Sequence, residues 1–243
     1  LSVGMVLPEA SPDQLERLSH ASLFVIHPWE RHEPRARELA AAYAPARALQ
    51  LAAPAGPSGC RRWLLGIAEA LGRREAMQAL VDARWSALEP RWRAASARAC
   101  RHRLGFVVDH AGWMRTLAAR RSFGISLLEV LREMGFEIEV LAFAGTTEVP
   151  EQQLDGVRVR GYRERDELAE MLRSGGVSAW YSELFYERRL TRSGTNAFSL
   201  RPFQWGLEGA VETLEALLQS VELPFYRRYG HLLGPAFPGE VPR

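Results

Sequence analysis

The sequence predicts an α/β fold. A short apolar strand runs into Pro54-Ala55-Gly56-Pro57-Ser58-Gly59 and then into a helix, expected to begin near Cys60, that carries Trp63, Leu64, Ile67 and Leu71 at helical spacing. The same order recurs where the apolar run Arg103–Val108 closes on Asp109-His110-Ala111-Gly112 and a helical stripe through Leu117, Ile125, Leu128 and Leu131 ends at Gly135. A further strand, Glu137–Phe143, completes a strand–helix–strand unit. The 243 residues suit two domains of ordinary size, about 100 to 200 residues each, better than one. The expected architecture is therefore two Rossmann-like, doubly wound domains with parallel sheets, spanning 1–74 and 101–243, joined by a long helix over 75–100.

The remaining elements follow in order. Strand Ser2–Leu7 precedes a helix at Ser11–Ser19, where Ser11 offers an N-cap and Asp13 and Gln14 fill the first turn. Strand Ser22–His27, helix Glu33–Ala44 and strand Ala48–Ala52 lead to the glycine turn. From Glu75 to Cys100 the pattern predicts a helix interrupted by Pro90, with Trp85 and Trp92 one heptad apart and Arg84, Arg91, Arg93 and Arg98 on a solvated basic face. Beyond Phe143 a loop rich in Gly, Thr and Glu leads to a strand at Val157–Arg160. A helix at Asp166–Arg173, a strand at Val177–Ser182, a helix at Leu207–Gln219 and an aromatic, Pro- and Gly-rich tail complete the chain. Trp63 and Trp205 are expected to be largely buried.

Composition removes several chemistries. All 31 basic side chains are arginine. A phosphate loop of the Gly-Lys-Ser/Thr type, a Schiff-base lysine and a lysine general base are thereby excluded. A formal charge of +2 gives no electrostatic case for nucleic-acid binding. The 2 cysteines, Cys60 and Cys100, form no Cys-x-x-Cys pair and no disulfide framework, and cannot alone ligate a four-cysteine cluster. No apolar run reaches membrane-spanning length, and no secretory signal is evident at the start, so a cytoplasmic protein, or a piece of one, is expected.

In open α/β sheets ligands bind beyond the carboxyl ends of the strands. That rule singles out His27, Gly56, Gly59 and Cys60 around one mouth and Asp109, His110 and Ser182 around another, with both mouths facing a common cleft. Each has a plainer alternative. His27 is either a ligand or proton shuttle, or a hydrogen-bonded structural residue. Cys60, at a helix N-terminus that lowers thiol pKa, is either a thiolate ligand or a small buried residue. The glycine turn either cradles a ligand or simply bends, Asp109-His110 either orients a ligand or caps the next helix, and Ser182 is equally open. No Ser-His-Asp or paired-carboxylate arrangement appears at local spacing.

Several segments resemble the nitrogenase component 1 family, which includes nitrogenase subunits, cofactor-assembly scaffold subunits and dark-operative protochlorophyllide reductase subunits. Ala21-Ser22-Leu23-Phe24-Val25-Ile26-His27 is similar to a strand of its middle domain. Ala53–Gly59 with Trp63–Gly72 resembles its Pro-x-Gly turn and following helix, and Arg201-Pro202-Phe203-Gln204-Trp205-Gly206-Leu207-Glu208-Gly209-Ala210 resembles the approach to its last helix. The resemblance implies part of an oxidoreductase subunit that lacks a cysteine-bearing domain. Its cleft would hold an iron–sulfur cluster, other metallocofactor or reducible tetrapyrrole in the intact complex, with no cofactor on the isolated chain. The implied partners are a homologous subunit or second copy and an ATP-dependent iron–sulfur reductase, with Phe203–Trp205 on the docking rim. Where nitrogenase itself has a cysteine this chain reads His27-Pro28-Trp29, and Leu200–Gly209 holds no histidine. A non-catalytic assembly scaffold or partner subunit is thus the alternative, and a two-domain sugar-nucleotide transferase a further one.

Overall fold

A computed structural model describes residues 21–30, 33–42, 47–109, 123–144, 152–154, 156–174, 176–182, 190, 193–223, 225–229 and 232. The expected strand Ser2–Leu7 and helix Ser11–Ser19 lie outside these residues, as does the stretch through Leu117.

The described residues form a mixed α/β fold with two sheets. Strands β1 (Leu23–Ile26) and β2 (Arg47–Gln50) pair in parallel, Leu23 opposite Arg47, across helix α1 (Glu33–Ala42). Helix α2 (Gly56–Ala70) and helix α3 (Arg74–Ala99) carry the chain to a six-stranded sheet. That sheet comprises β3 (Arg103–Asp109), β4 (Glu137–Phe143), β5 (Gln152–Leu154), β6 (Val157–Tyr162), β7 (Ala179–Tyr181) and β8 (Asn196–Phe198) in the spatial order β5-β6-β4-β3-β7-β8. Five strands are parallel, and β5 alone pairs antiparallel at the edge. Its helices are α4 (Leu127–Glu133), α5 (Arg165–Ser174), α6 (Gly206–Glu222) and α7 (Phe225–Tyr229). Successive parallel strands run outward from β3 to β6 and then restart at β7. The topological switch therefore falls between β3 and β7, the position where doubly wound sheets open a crevice.

Burial explains the strands. All of Ile138–Leu141 is buried in β4, as expected of a parallel strand covered on both faces. Leu104, Phe106 and Val108 join Ile138, Val140, Val159 and Phe198 on one face, against α3, α4 and α6. On the other face Leu141 and Trp180 meet Leu168 and Leu172 of α5 in a smaller cluster. Gly105 is required there, because a Cβ on it would overlap the Trp180 ring. The same layer buries Glu139, whose carboxylate is clamped by Arg103 of β3 and Arg160 of β6. A buried carboxylate needs such partners, since unpaired burial costs several kcal/mol.

Helices α3 and α6 correct the sequence expectation. Arg84, Arg91 and Arg98 pair with Glu208, Glu215 and Glu222 at a constant sequence offset of 124 residues. Two helices whose partners advance together by heptads run parallel and in register. The four arginines are solvent-exposed as expected, and what the sequence did not show is that three of them pair with a neighbouring helix while Arg93 pairs with Glu89 one turn back. Pro90 does not interrupt α3. Its missing N–H and ring clash weaken the helix locally, but Leu88 and Trp92 are buried on either side of it and Trp85 packs edge-on against Trp92 at 5.9 Å. Ala55 and Cys60 belong to the same apolar cluster as α3, α6 and the large sheet, so α2 packs into the main core.

Candidate functional site

β1 ends at Ile26, so His27 stands at the carboxyl edge of the small sheet. Its Nδ1 lies 2.8 Å from the Leu51 carbonyl. A carbonyl can only accept, so Nδ1 donates and the neutral ring presents Nε2 as its lone-pair nitrogen. This carbonyl-backed orientation is the one that second-shell partners impose on ligating histidines. Beside the imidazole, Trp205 packs edge-on at 5.9 Å, Phe123 meets Trp205 at 5.9 Å, and Trp29 meets Phe123 at 4.5 Å. Trp205 is 52% exposed, which overturns the expectation of burial; it precedes the first turn of α6 and turns its indole into the mouth. Trp63 is half-buried.

The far wall is a loop from the large sheet. Phe123 accepts the Ala53 N–H at 2.9 Å, and the position of a Cβ on Gly124 would be 3.0 Å from Ala52 and Pro28. Phe123 has φ of +55°, a region costly to a non-glycine residue and retained where surrounding contacts over-determine it. Four segments thus converge on one mouth, formed by His27–Trp29, Leu51–Ala53, Phe123–Gly124 and Trp205.

The glycine turn is organised differently from the sequence expectation. Gly56-Pro57-Ser58-Gly59 is already the first turn of α2, four residues earlier than expected, with proline where its missing N–H is harmless. Ala55 supplies no side-chain cap. Glu133, in the last turn of α4, accepts hydrogen bonds from the Ser58 N–H at 2.8 Å and from the Ser58 hydroxyl. A helix N-terminus attracts an anion, and here the protein's own carboxylate fills that role. Gly56, at φ of +67°, is needed twice over, since a Cβ would sit 2.6 Å from Glu133 Oε2. Gly59 needs no such allowance, with Ala53 O 3.9 Å from the position of its Cβ.

Cys60 lies inside the core rather than on a rim. Its thiol is fully buried and donates to the Pro54 carbonyl at 3.1 Å, which also accepts the Gly206 N–H at 3.0 Å. Burial pushes the thiol up to about 12, the Gly206 N–H works against the rise, and Glu133 and Glu208 add to it. The depression expected from the helix N-terminus is thus reversed by desolvation.

Asp109 ends β3 opposite Phe143, and Ser182 follows β7, its N–H donating to Phe198 O at 2.8 Å. Both backbones flank the switch between β3 and β7. The Asp109 side chain and all of His110 lie outside the described residues. Among the described residues no group of three or more His, Cys, Asp or Glu side chains is placed to hold a metal ion, and no helix is long and apolar enough to cross a membrane.

No protein-family model matches the chain, and no curated protein matches it in sequence. Its fold has solved counterparts. A chain of the structure described as nitrogenase Cp1 at pH 5 superposes with a TM-score of 0.63 over 96% of this chain and 52% of that one, at 10% identity. A chain of nitrogenase Cp1 at pH 6.5 gives 0.59, with coverage of 96% and 54%, again at 10% identity. This chain thus spans about half the length of those nitrogenase chains. The likeness defines a nitrogenase-like α/β fold.

Proposed function

We propose that the chain is part of a nitrogenase-like component 1 oxidoreductase subunit whose cleft takes a flat, reducible tetrapyrrole in a system driven by an ATP-dependent iron–sulfur reductase. The observation that carries this reading is the convergence of His27, Trp205 and Phe123 on one mouth, and the nitrogenase-like fold supports it. The donor set bears on the alternatives. Cys60 is buried in the core and Cys100 is the chain's only other cysteine, so the residues do not fit an iron–sulfur cluster ligated by this chain alone. What supports a planar aromatic ligand with one nitrogen donor is the carbonyl-backed imidazole of His27 beside Trp205 and Phe123. The tetrapyrrole supplies the electron-accepting ring; His27 Nε2 would bind its central ion, while Trp205 and Phe123 would stack against it and exclude water. A homologous subunit, or a second copy of this chain, would close the exposed Trp205 side, and a cytoplasmic setting suits such a complex. The burial of Cys60 favours one second reading, a cofactor-assembly scaffold or partner subunit that holds the ligand without transforming it.

The test is anaerobic titration of the whole chain with a magnesium porphyrin, following its main absorption band. Saturable binding tighter than about 100 µM, with loss of the ligation shift in His27→Ala and weakened binding in Trp205→Ala, supports the reading. Indifference to both substitutions would overturn it. Turnover of the bound ring on adding the reductase separates enzyme from scaffold.

A further inference from the structure

A second concavity opens at the carboxyl ends of β4 and β6, away from the His27 mouth. It is an open depression of about 290 Å³ lined by Phe143, Tyr162, Arg163, Glu164, Arg165 and Leu168. Phe143 closes β4 and is 41% exposed, an unusual position for phenylalanine at the end of a strand otherwise buried. Its ring lies 5.6 Å from that of Tyr162. The wall is rigid, because Ala144 donates to Tyr162 O at 2.8 Å and so fastens the two strand ends together. Leu168, on the buried face of α5, forms an apolar base.

We propose that this concavity binds a nucleoside monophosphate, with the base against Phe143 and the phosphate on the guanidinium group of Arg165. Size favours a single ring system with its sugar, since the volume sits at the low end of ligand pockets. An exposed Phe143 ring suits a planar base, and the guanidinium of Arg165, lining the same depression, matches phosphate geometry. Topology agrees. In doubly wound sheets the part of a nucleotide remote from the switch point lies at the end of the second strand, where a carboxylate reads a ribose diol or an arginine reads a phosphate. Here the second parallel strand from the switch ends in Phe143 rather than a carboxylate. Glu164 is the acid among the lining residues and, in this proposal, accepts from a ribose hydroxyl. Glu167, one turn along, is engaged by the Arg163 backbone N–H at 2.7 Å.

Calorimetric titration of the whole chain with AMP and with UMP, alongside adenosine, uridine and inorganic phosphate, tests the proposal. At least one nucleotide should bind saturably and about tenfold or more tighter than its nucleoside and than phosphate. Phe143→Ala and Arg165→Glu should each weaken that nucleotide about tenfold or more while leaving porphyrin binding at the His27 mouth unchanged. Both positions are exposed, so folding is expected to survive, and circular dichroism verifies it. Absence of binding at millimolar nucleotide, phosphate binding as tightly as nucleotide, or indifference to either substitution would overturn it.

Discussion

The Glu133 carboxylate accepts two hydrogen bonds from Ser58, 75 residues earlier in the chain, and so caps a helix to which it does not belong. The bond ties the helix after the small sheet to the crossover of the large one. It also gives the glycine turn a purpose that needs no external ligand.

Removing this cap should be measurable. Glu133→Ala is expected to cost about 0.5–2 kcal/mol, the usual loss for a helix N-cap, and Gly56→Ala more, because it adds positive-φ strain to the encounter with Glu133. Urea unfolding of the two variants checks the order. Equal stabilities for Glu133→Ala and the parent would mean the carboxylate leaves Ser58 in solution.

Cys60 sets a pH dependence. The folded thiol holds its proton up to about 12, whereas the ordinary value is 9.0. Above 9.0 the unfolded chain releases a proton that the folded chain keeps, so the native state binds more protons and stability falls as pH rises from 9.0 towards about 12. Below 9.0 the contribution is intact. Comparing Cys60→Ala with the parent across that window isolates the effect, as tyrosine ionisation is common to both. In the native protein at mildly alkaline pH, a thiol reagent should modify exposed Cys100 and spare Cys60 until unfolding.

The Arg–Glu ladder should respond to charge and salt. Glu215→Arg places like charges opposite Arg91 and should lower the melting temperature, while adding Arg91→Glu to it restores the pair and most of the loss. Both effects should shrink in high salt, because the pair is solvent-exposed and screened. A double variant no better than the single one would show that the two side chains do not meet.

Gly105→Ala tests the sheet's second face. The added methyl group must displace the fully buried Trp180 ring, and overpacking of this kind costs about 1–3 kcal/mol. Equilibrium denaturation measures it. Trp180→Leu in the same background should recover part of the loss by making room; a deeper loss in the pair would place the conflict elsewhere.

Long, strongly patterned elements were legible in the sequence. Strand Glu137–Phe143 falls on the boundaries its apolar run predicts, and the helix expected at Leu207–Gln219 is longer by one residue at its start and three at its end. Short elements were not. β5 and β8 have three residues each and little alternation, and they exist because a neighbouring strand offers unpaired backbone groups. The helix Phe225–Tyr229 was hidden in an aromatic tail. At the mouth, His27 was readable because a strand ends there. Phe123 and Glu133 were not, since their roles come from partners far along the chain: Ala53 in one case, Ser58 in the other. The pairing of the α3 arginines with α6 was hidden for the same reason. Of the two readings of Cys60 the buried one holds, and only the lowered pKa fails, because a helix terminus can be read from sequence and the extent of burial cannot.

The register between α3 and α6 also bears on how the chain acquires its shape during synthesis. Leu88, Trp92 and Ala95 leave the ribosome more than a hundred residues before Val211, Leu214 and Leu218, the residues that share their core. Early in translation that apolar seam has α2 beside it but lacks α6. Late non-local closure of this kind slows folding and prolongs exposure to aggregation, so the nascent chain offers chaperones a defined client surface, on α3, until its last long helix emerges.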